Sequence, residues 1–467
     1  MGIKEDIFKL VTEMYNHHLE PSRSHRAPAG QSFPDFSTAR NGNGVTLPPS
    51  SRALLTSIAG NILSNDITLT QKIELPQFIT VVRQCFVDFY AEGKFKDGAE
   101  ADIYAVKSDL VAYAKEAAAD RVMEFTHYFP AWTLGIERVQ PFQLGPVTFL
   151  TREQFVENTD IQGHVKDSLY NQGEANHRWK EIIRERWGNP SHDGQLDGFA
   201  RDIFEAIGSC PSILKITLVG YEKNLSKKLA AMICRSALDA VSLVFGNAAF
   251  FQQQTLAEER LSPIKTSTIT ETNGYLWLPG MALGKRIPQF SPARISEDLK
   301  TMPELMCAIG YTLGALANPK LHRHPELASR WAIALDWFAE GHREQSDAIG
   351  LAKIATSLDG LACVGTYKGI LELLENLLDI KRDGVVINGR KSRTLAEVVK
   401  EIYDDGRSKI LHGSYSNRLQ AYGEGKSRAS YLGRHALIES VLRLENYIGA
   451  DKGTAFRTMK RNAMLAE

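Results

Sequence analysis

Arginine and histidine stand five residues apart in the stretch YDDGRSKILHGS, residues 403–414. Histidine changes charge near neutral pH and can move protons, while the guanidinium of arginine matches a phosphate in shape and charge. Arg407 and His412 thus have the residue types for acid–base chemistry at a phosphate ester. On a regular helix they lie about 140° apart, so a distorted helix end or two copies of the helix must bring them together. The alternative is that both simply contact the carbonyls at a helix end.

The sequence around this pair is locally basic. Between residues 388 and 434, ten basic side chains stand against five acidic ones, with tyrosines interspersed. The basic residues and tyrosines are Arg390, Lys391, Arg393, Lys400, Tyr403, Arg407, Lys409, Tyr415, Arg418, Tyr422, Lys426, Arg428, Tyr431 and Arg434. We expect Lys409, Arg418, Tyr403 and Tyr415 to contact RNA through charge and base stacking. The alternative is a solvated helical surface with ordinary core tyrosines.

Six helical segments must position these residues, and all of them lie beyond residue 300. Apolar residues recur at helical spacing in 302–317, 326–341, 347–365, 366–380, 394–417 and 434–448. Short loops join most of the segments, which predicts an up-and-down helical bundle. Gly413 suits the end of the helix that carries Arg407 and His412.

The motif itself resembles a known family. Arg407-Ser-Lys-Ile-Leu-His412 fits the R-x(4–6)-H signature of HEPN domains. Tyr403 before it, together with Leu-His-Gly at 411–413, resembles the ending found in the Apea-like branch of that family. One residue departs from the pattern, because Ser408 follows the arginine where many members have Asn, Asp or His. Serine still donates and accepts hydrogen bonds, with a shorter reach.

The helices upstream of the motif resemble the same branch. Residues 328–341, 349–365 and 367–378 are similar to its first three helices. Asp359 takes the place of an acidic residue that the second of these helices carries among apolar ones. The resemblance covers about residues 325–450.

The resemblance implies a metal-independent RNA endonuclease that needs no cofactor. In such enzymes the ribose 2′-hydroxyl attacks the adjacent phosphate and leaves a 2′,3′-cyclic phosphate and a 5′-hydroxyl. Arg407 would stabilise charge on the phosphate and His412 would move protons. Ser408 would support the site, and Asp359 would hold Arg407 or His412 in position. HEPN domains usually dimerise, so that two such helices form one composite site, and the resemblance implies a homodimer or a higher homo-oligomer.

The resemblance also implies a biological setting. In bacteria, Apea-like HEPN proteins are associated with antiphage defence, often by abortive infection. We therefore expect a toxic RNase that acts on RNA, with tRNA among the candidates, and that stays idle until a phage-derived or protein trigger appears. One alternative is a catalytically inactive HEPN scaffold for dimerisation or RNA binding. A weaker one is a receptor whose middle region binds a nucleotide signal.

The pattern of the chain changes twice before residue 300. Residues 1–129 are predicted as an α-rich region with a helix over 99–125 and a Pro/Gly-rich linker over 21–51. Residues 130–299 mix short strands and helices and are predicted as an α+β region with a sensor or regulatory role. With the HEPN bundle over 300–467, the expected fold is mainly α.

Composition excludes several classes of protein. Lys+Arg and Asp+Glu are both 55, and zero formal net charge excludes non-specific binding of nucleic acid by positive charge spread over the whole protein. The five cysteines form no CxxC pair, which favours free thiols in a reducing cytoplasm over zinc ligands. No apolar stretch reaches roughly 18 residues, and the N-terminus does not resemble a signal peptide. We therefore expect a cytoplasmic protein without membrane contact.

Overall fold

The fold is mostly helical with several small sheets, as seen in a computed structural model. The described residues are 2–19, 35–95, 100–139, 141–160, 178–189, 198–259, 265–268, 270–276, 280–283, 291–388, 392–414 and 420–461. The chain forms two compact units: Met1–Thr126 with Thr217–Leu229, and His127–Ile216 with Ala230–Glu467. The expected division has three regions, 1–129, 130–299 and 300–467, and it stays a prediction.

The first unit is built around four helices that pack on one another: α1, α2, α4 and α5. Its elements are α1 (Ile3–Leu19), β1 (Asp35–Thr38), β2 (Gly44–Leu47), α2 (Ser51–Ser64), α3 (Ile67–Thr70), α4 (Leu75–Ala91) and α5 (Glu100–Ala119). The aromatic side chains of Phe78, Phe86 and Phe95 are fully buried in its core. Burial of such large apolar side chains is the main source of the stability of a unit of this size.

Two segments of this unit differ from the sequence-based expectation. Part of the expected linker 21–51 is a β-hairpin, with Asp35 opposite Leu47 and Thr38 opposite Gly44. The turn between them contains Asn-Gly-Asn-Gly, a strong hairpin signal, and Gly42 has a φ of 87° that favours glycine. The rest of the linker, residues 21–34, lies outside the described residues. The expected helix over 99–125 ends at Ala119, because the β-branched and aromatic residues that follow form a strand.

Three elements contribute residues to both units: β3 (Val122–Trp132), β6 (Ser212–Glu222) and α9 (Lys223–Phe245). The other elements between β3 and residue 291 are β4 (Phe142–Leu144), β5 (Val147–Thr151), α6 (Arg152–Asn158), α7 (Trp179–Gly188), α8 (Gly198–Ile207), α10 (Ala248–Gln253), β7 (Thr255–Leu256), β8 (Lys265–Thr268), β9 (Glu271–Thr272), β10 (Tyr275–Leu276) and β11 (Gly280–Leu283). The largest sheet has the strand order β4-β5-β6-β3-β7, in which the pairs β4–β5, β5–β6 and β3–β7 are antiparallel. The predicted turn at Gly145–Pro146 joins β4 to β5.

The later part of the second unit is mostly helical. Its elements are α11 (Pro292–Thr301), α12 (Pro303–Ala317), α13 (Pro325–Arg343), α14 (Asp347–Ala362), α15 (Tyr367–Leu378), β12 (Val385–Ile387), β13 (Arg393–Thr394), α16 (Leu395–Lys400), a π-helix (Glu401–Ser408), α17 (Lys409–Leu411) and α18 (Gly423–Glu445). Side-chain caps set the starts of several helices. Ser346 accepts from the amide of Ile349 at the start of α14, and Thr366 accepts from that of Gly369 at the start of α15.

Helix α18 packs against α12, α13, α14, α15 and the π-helix. The fully buried indole of Trp331 on α13 donates to the carbonyl of Leu437 on α18 at 2.9 Å. Helices α13 and α14 also approach closely. A Cβ on Gly341 would lie 2.9 Å from the carbonyl oxygen of Gly350, so side chains at this crossing would push the helices apart.

In the part of the chain that the structure describes, no single helix is long and apolar enough to cross a membrane. Helices α14 and α15 meet the length and composition test only as a pair, and they are bent by 73° at their junction.

A buried ion pair joins α9 to α13. The Arg343 guanidinium contacts the Asp239 carboxylate, and it also lies 3.1 Å from Glu340. Both members of the first pair are almost fully shielded from water. Burial raises the pKa of the Asp239 carboxyl, and the positive charge of Arg343 opposes that shift. The pair therefore depends on both partners being present.

We predict that Arg343→Met lowers the free energy of unfolding by about 3–5 kcal/mol, because Asp239 stays buried without its counter-charge. In the variant, the folded pKa of Asp239 lies even further above the unfolded value of about 3.9. The native state then binds more protons than the unfolded chain, so the stability of the variant falls as pH rises from about 4 toward 7. Denaturant unfolding at several pH values measures both effects.

Arg382→Met is the matched control, because Arg382 pairs with Glu375 at 2.7 Å on the exposed surface. Its loss is expected to stay below about 1 kcal/mol. Equal losses in the two variants would contradict the role assigned to the buried pair.

Candidate functional site

The segment that carries Arg407 and His412 is not one regular helix, as 394–417 was expected to be. Helix α16 begins with a capping box, in which Thr394 and Glu397 bond each other's backbone amides. A π-helix then runs from Glu401 to Ser408, and three residues of α-helix follow. A π-helix bonds residues five apart and is rare outside short functional segments. The chain is therefore distorted as far as Arg407 and Ser408, while the residues between Ser408 and His412 return to α-helix.

A glycine allows the π-helix to lie against α14. Gly406 is buried, and a Cβ there would lie 2.8 Å from Cδ2 of Leu351. The widened turn and the missing side chain bring the backbone before Arg407 close to the neighbouring helix. At the far end, Gly413 has a φ of 64° and its amide donates to the carbonyl of Ile410. The expectation that Gly413 ends the helix is confirmed.

Three partners hold the Arg407 side chain. Its Nη2 lies 3.1 Å from Oδ2 of Asp359, and its Nε donates to Oγ1 of Thr356 at 3.3 Å. Its Nη1 donates to the hydroxyl of Tyr403 at 3.3 Å, and the guanidinium lies over the tyrosine ring at 5.2 Å. The side chain is 24% exposed against 11% for Asp359. Arg407 is therefore fixed on one side and open to solvent on another.

The partners of Arg407 are themselves held in place. Oδ1 of Asp359 accepts from the amide of Gly365 at 2.9 Å, so the carboxylate also fixes the turn after α14. The hydroxyl of Tyr403 donates to the carbonyl of Gly365 at 2.6 Å. Oγ1 of Thr356 donates one turn back, to the carbonyl of Ala352. This chain of hydrogen bonds restricts the rotamers of Arg407, which is what pre-organisation of a cationic group requires.

His412 lies at the exposed end of the motif. Its backbone amide donates to the carbonyl of Ser408 at 3.0 Å, and its side chain is exposed. Within the described stretch 392–414, no hydrogen bond or ion pair joins the imidazole to Arg407. The structure thus brings Asp359, Tyr403 and Arg407 together and leaves His412 facing solvent.

The other predicted site residues have different positions. Ser408 is half-buried and supplies a carbonyl to the helix end, while Lys409 is exposed. The hydroxyl of Tyr403, a residue expected to contact RNA, is hydrogen-bonded to Arg407 and to the carbonyl of Gly365. Tyr415 and Arg418 lie outside the described residues. Thr356 was missed, although its place three residues before Asp359 puts both on one face of α14.

No three His, Cys, Asp or Glu side chains converge on a possible metal site among the residues described. Comparisons of the chain with protein-family models, with curated proteins and with solved structures found no match.

We predict that Gly406→Ala lowers the free energy of unfolding by about 1–3 kcal/mol, because the new methyl group meets Leu351 in a packed interior. Denaturant unfolding followed by circular dichroism measures the change. Gly60→Ala is the control, since Gly60 lies inside α2 with no atom within 4 Å of the new Cβ. That helix-interior substitution is expected to stabilise by about 0.5–1 kcal/mol. A neutral Gly406→Ala would contradict the close packing of the π-helix.

Proposed function

We propose that the chain is a metal-independent endoribonuclease of the HEPN type, whose C-terminal part is a HEPN-like helical bundle. The observation that carries the proposal is the anchored state of Arg407. Asp359, Thr356 and Tyr403 take three of its N–H groups. Arginine has five N–H donors, so two remain for a phosphate. A cation that is fixed by a carboxylate and still has donors free suits a phosphate-binding role.

The proposed reaction needs a base, an acid and stabilisation of the phosphorane. A base takes the proton of the 2′-hydroxyl, whose oxygen attacks phosphorus. The 5′-oxygen leaves with a proton from the acid, which gives a 2′,3′-cyclic phosphate and a 5′-hydroxyl. Arg407 stabilises the charge on the non-bridging oxygens, and the exposed imidazole of His412 moves one of the two protons.

A second copy of the chain would supply the second proton-transfer group. In one copy, His412 makes no contact with Arg407, although both lie in the described motif. We therefore infer a homodimer in which two motifs face one groove. Two copies of a locally basic segment would hold RNA there, with tRNA among the candidates, despite the neutral charge of the chain. An RNase assembled in this way suits abortive infection, where a phage-derived or protein trigger releases it.

A non-catalytic HEPN scaffold for dimerisation or RNA binding is the second candidate. One observation favours it, since Asp359 already neutralises Arg407 inside the protein at 3.1 Å. An arginine that bridges α14 and the π-helix has a structural role whether or not it meets a phosphate. The two candidates differ in whether new RNA ends appear.

We predict that the full chain cleaves tRNA or total RNA in EDTA, alone or with extract from phage-infected cells. Arg407→Ala and His412→Ala are each expected to slow cleavage by about a hundredfold or more. Arg382→Ala, which alters an exposed arginine paired with Glu375, is the control with wild-type rate. Labelling of new 5′-hydroxyl ends by a polynucleotide kinase measures the products.

If the protein retains RNA but produces no new 5′-hydroxyl ends in any state tested, the nuclease proposal fails and the scaffold proposal takes its place. Cleavage by both alanine variants at the wild-type rate would place the activity elsewhere.

We further predict that Asp359→Asn slows cleavage about tenfold to a hundredfold with little change in KM. Asparagine keeps an acceptor for the amide of Gly365 but loses the charge that orients Arg407. Combined with Arg407→Ala, the substitution should cause no further loss, because it acts only through the guanidinium. Thr356→Val is the control and removes one neutral contact of Arg407. Additive losses in the double variant would show that Asp359 acts independently of Arg407.

A further inference from the structure

The second unit contains a cavity of about 700 Å³ that the proposed nuclease does not use. It lies between the N-terminal half of α18, the residues around α10 and the junction of α13 with α14. His342, Lys426, Ser427, Tyr431, Arg434 and His435 are among its lining residues. Its volume falls within the range of roughly 300–1,000 Å³ that is typical of small-molecule sites.

The cavity is lined by a half-buried cation that has no carboxylate partner among the described residues. Arg434 donates from Nε to the carbonyl of Leu243 at 3.1 Å and from Nη2 to that of Val244 at 3.0 Å. It lies directly against Gly246, where a Cβ would be 2.7 Å from Nε. Burial lowers the pKa of Arg434, because no nearby carboxylate offsets the loss of water. The remaining N–H groups are available to a ligand.

Other arginines of this unit show how such a charge is normally balanced. Arg343 contacts Asp239, Arg407 contacts Asp359, and Arg428 contacts Glu401 at 3.0 Å. Only carbonyls at the end of α9 contact Arg434 in the described structure, and a helix end carries only about half a charge. Asp347 also lines the cavity, but its carboxylate pairs with Lys426 at 3.1 Å and not with Arg434. An anion is the partner that this guanidinium lacks.

Aromatic rings lie beside this cation. Tyr431 and His435 are one turn apart on α18, with ring centroids 4.5 Å apart, and Tyr431 is 67% exposed. Burial and then the charge of Arg434 lower the pKa of His435, which favours its neutral ring. An exposed aromatic pair offers a stacking surface for a planar ring. The Ser427 hydroxyl donates to the carbonyl of Gly423 and keeps its lone pairs for a ligand hydroxyl.

We propose that this cavity binds a nucleoside monophosphate, with the phosphate on Arg434 and the base against Tyr431 and His435. A nucleotide carries the three groups that these lining residues could bind: an anion, a planar ring and hydroxyl groups between them. The proposal concerns residues outside the Arg407 network and holds whether or not the chain cleaves RNA.

Isothermal titration of the full chain with AMP, GMP, CMP and UMP tests the proposal. At least one of them should bind saturably, and its nucleoside and inorganic phosphate should each bind at least about tenfold more weakly. Arg434→Gln and Tyr431→Ala should each weaken binding by about tenfold or more. The matched controls are Arg382→Gln and Tyr275→Ala, which alter an exposed arginine and an exposed tyrosine elsewhere. Arg407→Ala should bind like wild type even if it abolishes cleavage.

Arg434→Lys guards against a folding defect, since it keeps the charge but loses the planar fork that matches a phosphate. It should melt like the wild type and still bind more weakly. The proposal is overturned if none of the four nucleotides binds at millimolar concentration, or if both cavity variants bind like the controls. Inorganic phosphate binding as tightly as the nucleotide would also overturn it. So would tighter binding of a 5′-phosphorylated oligonucleotide, which would assign the cavity to an RNA end.

Discussion

The indole of Trp331 donates to the backbone of α18 at Leu437 in the interior of the second unit, where both residues are fully shielded from water. A buried indole N–H without an acceptor would cost more than a typical hydrogen bond gains, so this bond fixes how α13 crosses α18. Helix α18 also packs against α12, α14, α15 and the π-helix, so its position affects most of the helical part of the unit. Side chains of α18 reach both the π-helix, where Arg428 contacts Glu401, and the cavity, which Arg434 and His435 line.

Charge is distributed in this unit by local pairing and not by an overall excess. Arg428 on α18 holds Glu401 at the first residue of the π-helix, and Asp359 holds Arg407 near its last. Each pair is partly shielded from water, so it contributes more to the placement of the two side chains than to net stability. This explains how a chain of zero net charge can present well-placed cations. In the described part of α18, Arg434 is the arginine without a carboxylate partner, which is why we propose an anion in the cavity.

For the second unit, the sequence predicts which segments are helical better than it predicts the hydrogen-bond pattern within a helical segment. Apolar periodicity and capping residues such as Thr366 are local signals, and they set where helices begin. The π-helix has no such local signal, and where it forms, Gly406 packs closely against Leu351 of another helix. The pairing of Asp359 with Arg407 was foreseen as one of two options, since only the fold decides which cation the carboxylate meets. The hairpin within the expected linker is the opposite case, because Asn41-Gly42 is a clear local signal for a hairpin turn.

The carboxylate beside Arg407 bears on how the proposed reaction would gain its rate. A guanidinium already neutralised by Asp359 attracts an ordinary phosphodiester only weakly, since much of its charge is balanced inside the protein. The phosphorane that forms after attack carries additional negative charge, and it can use the N–H groups that Asp359, Thr356 and Tyr403 leave open. The interaction therefore strengthens as the transition state forms, which is the condition for faster chemistry and not merely tighter binding. An arginine without such a partner would hold RNA more strongly and discriminate less between substrate and transition state.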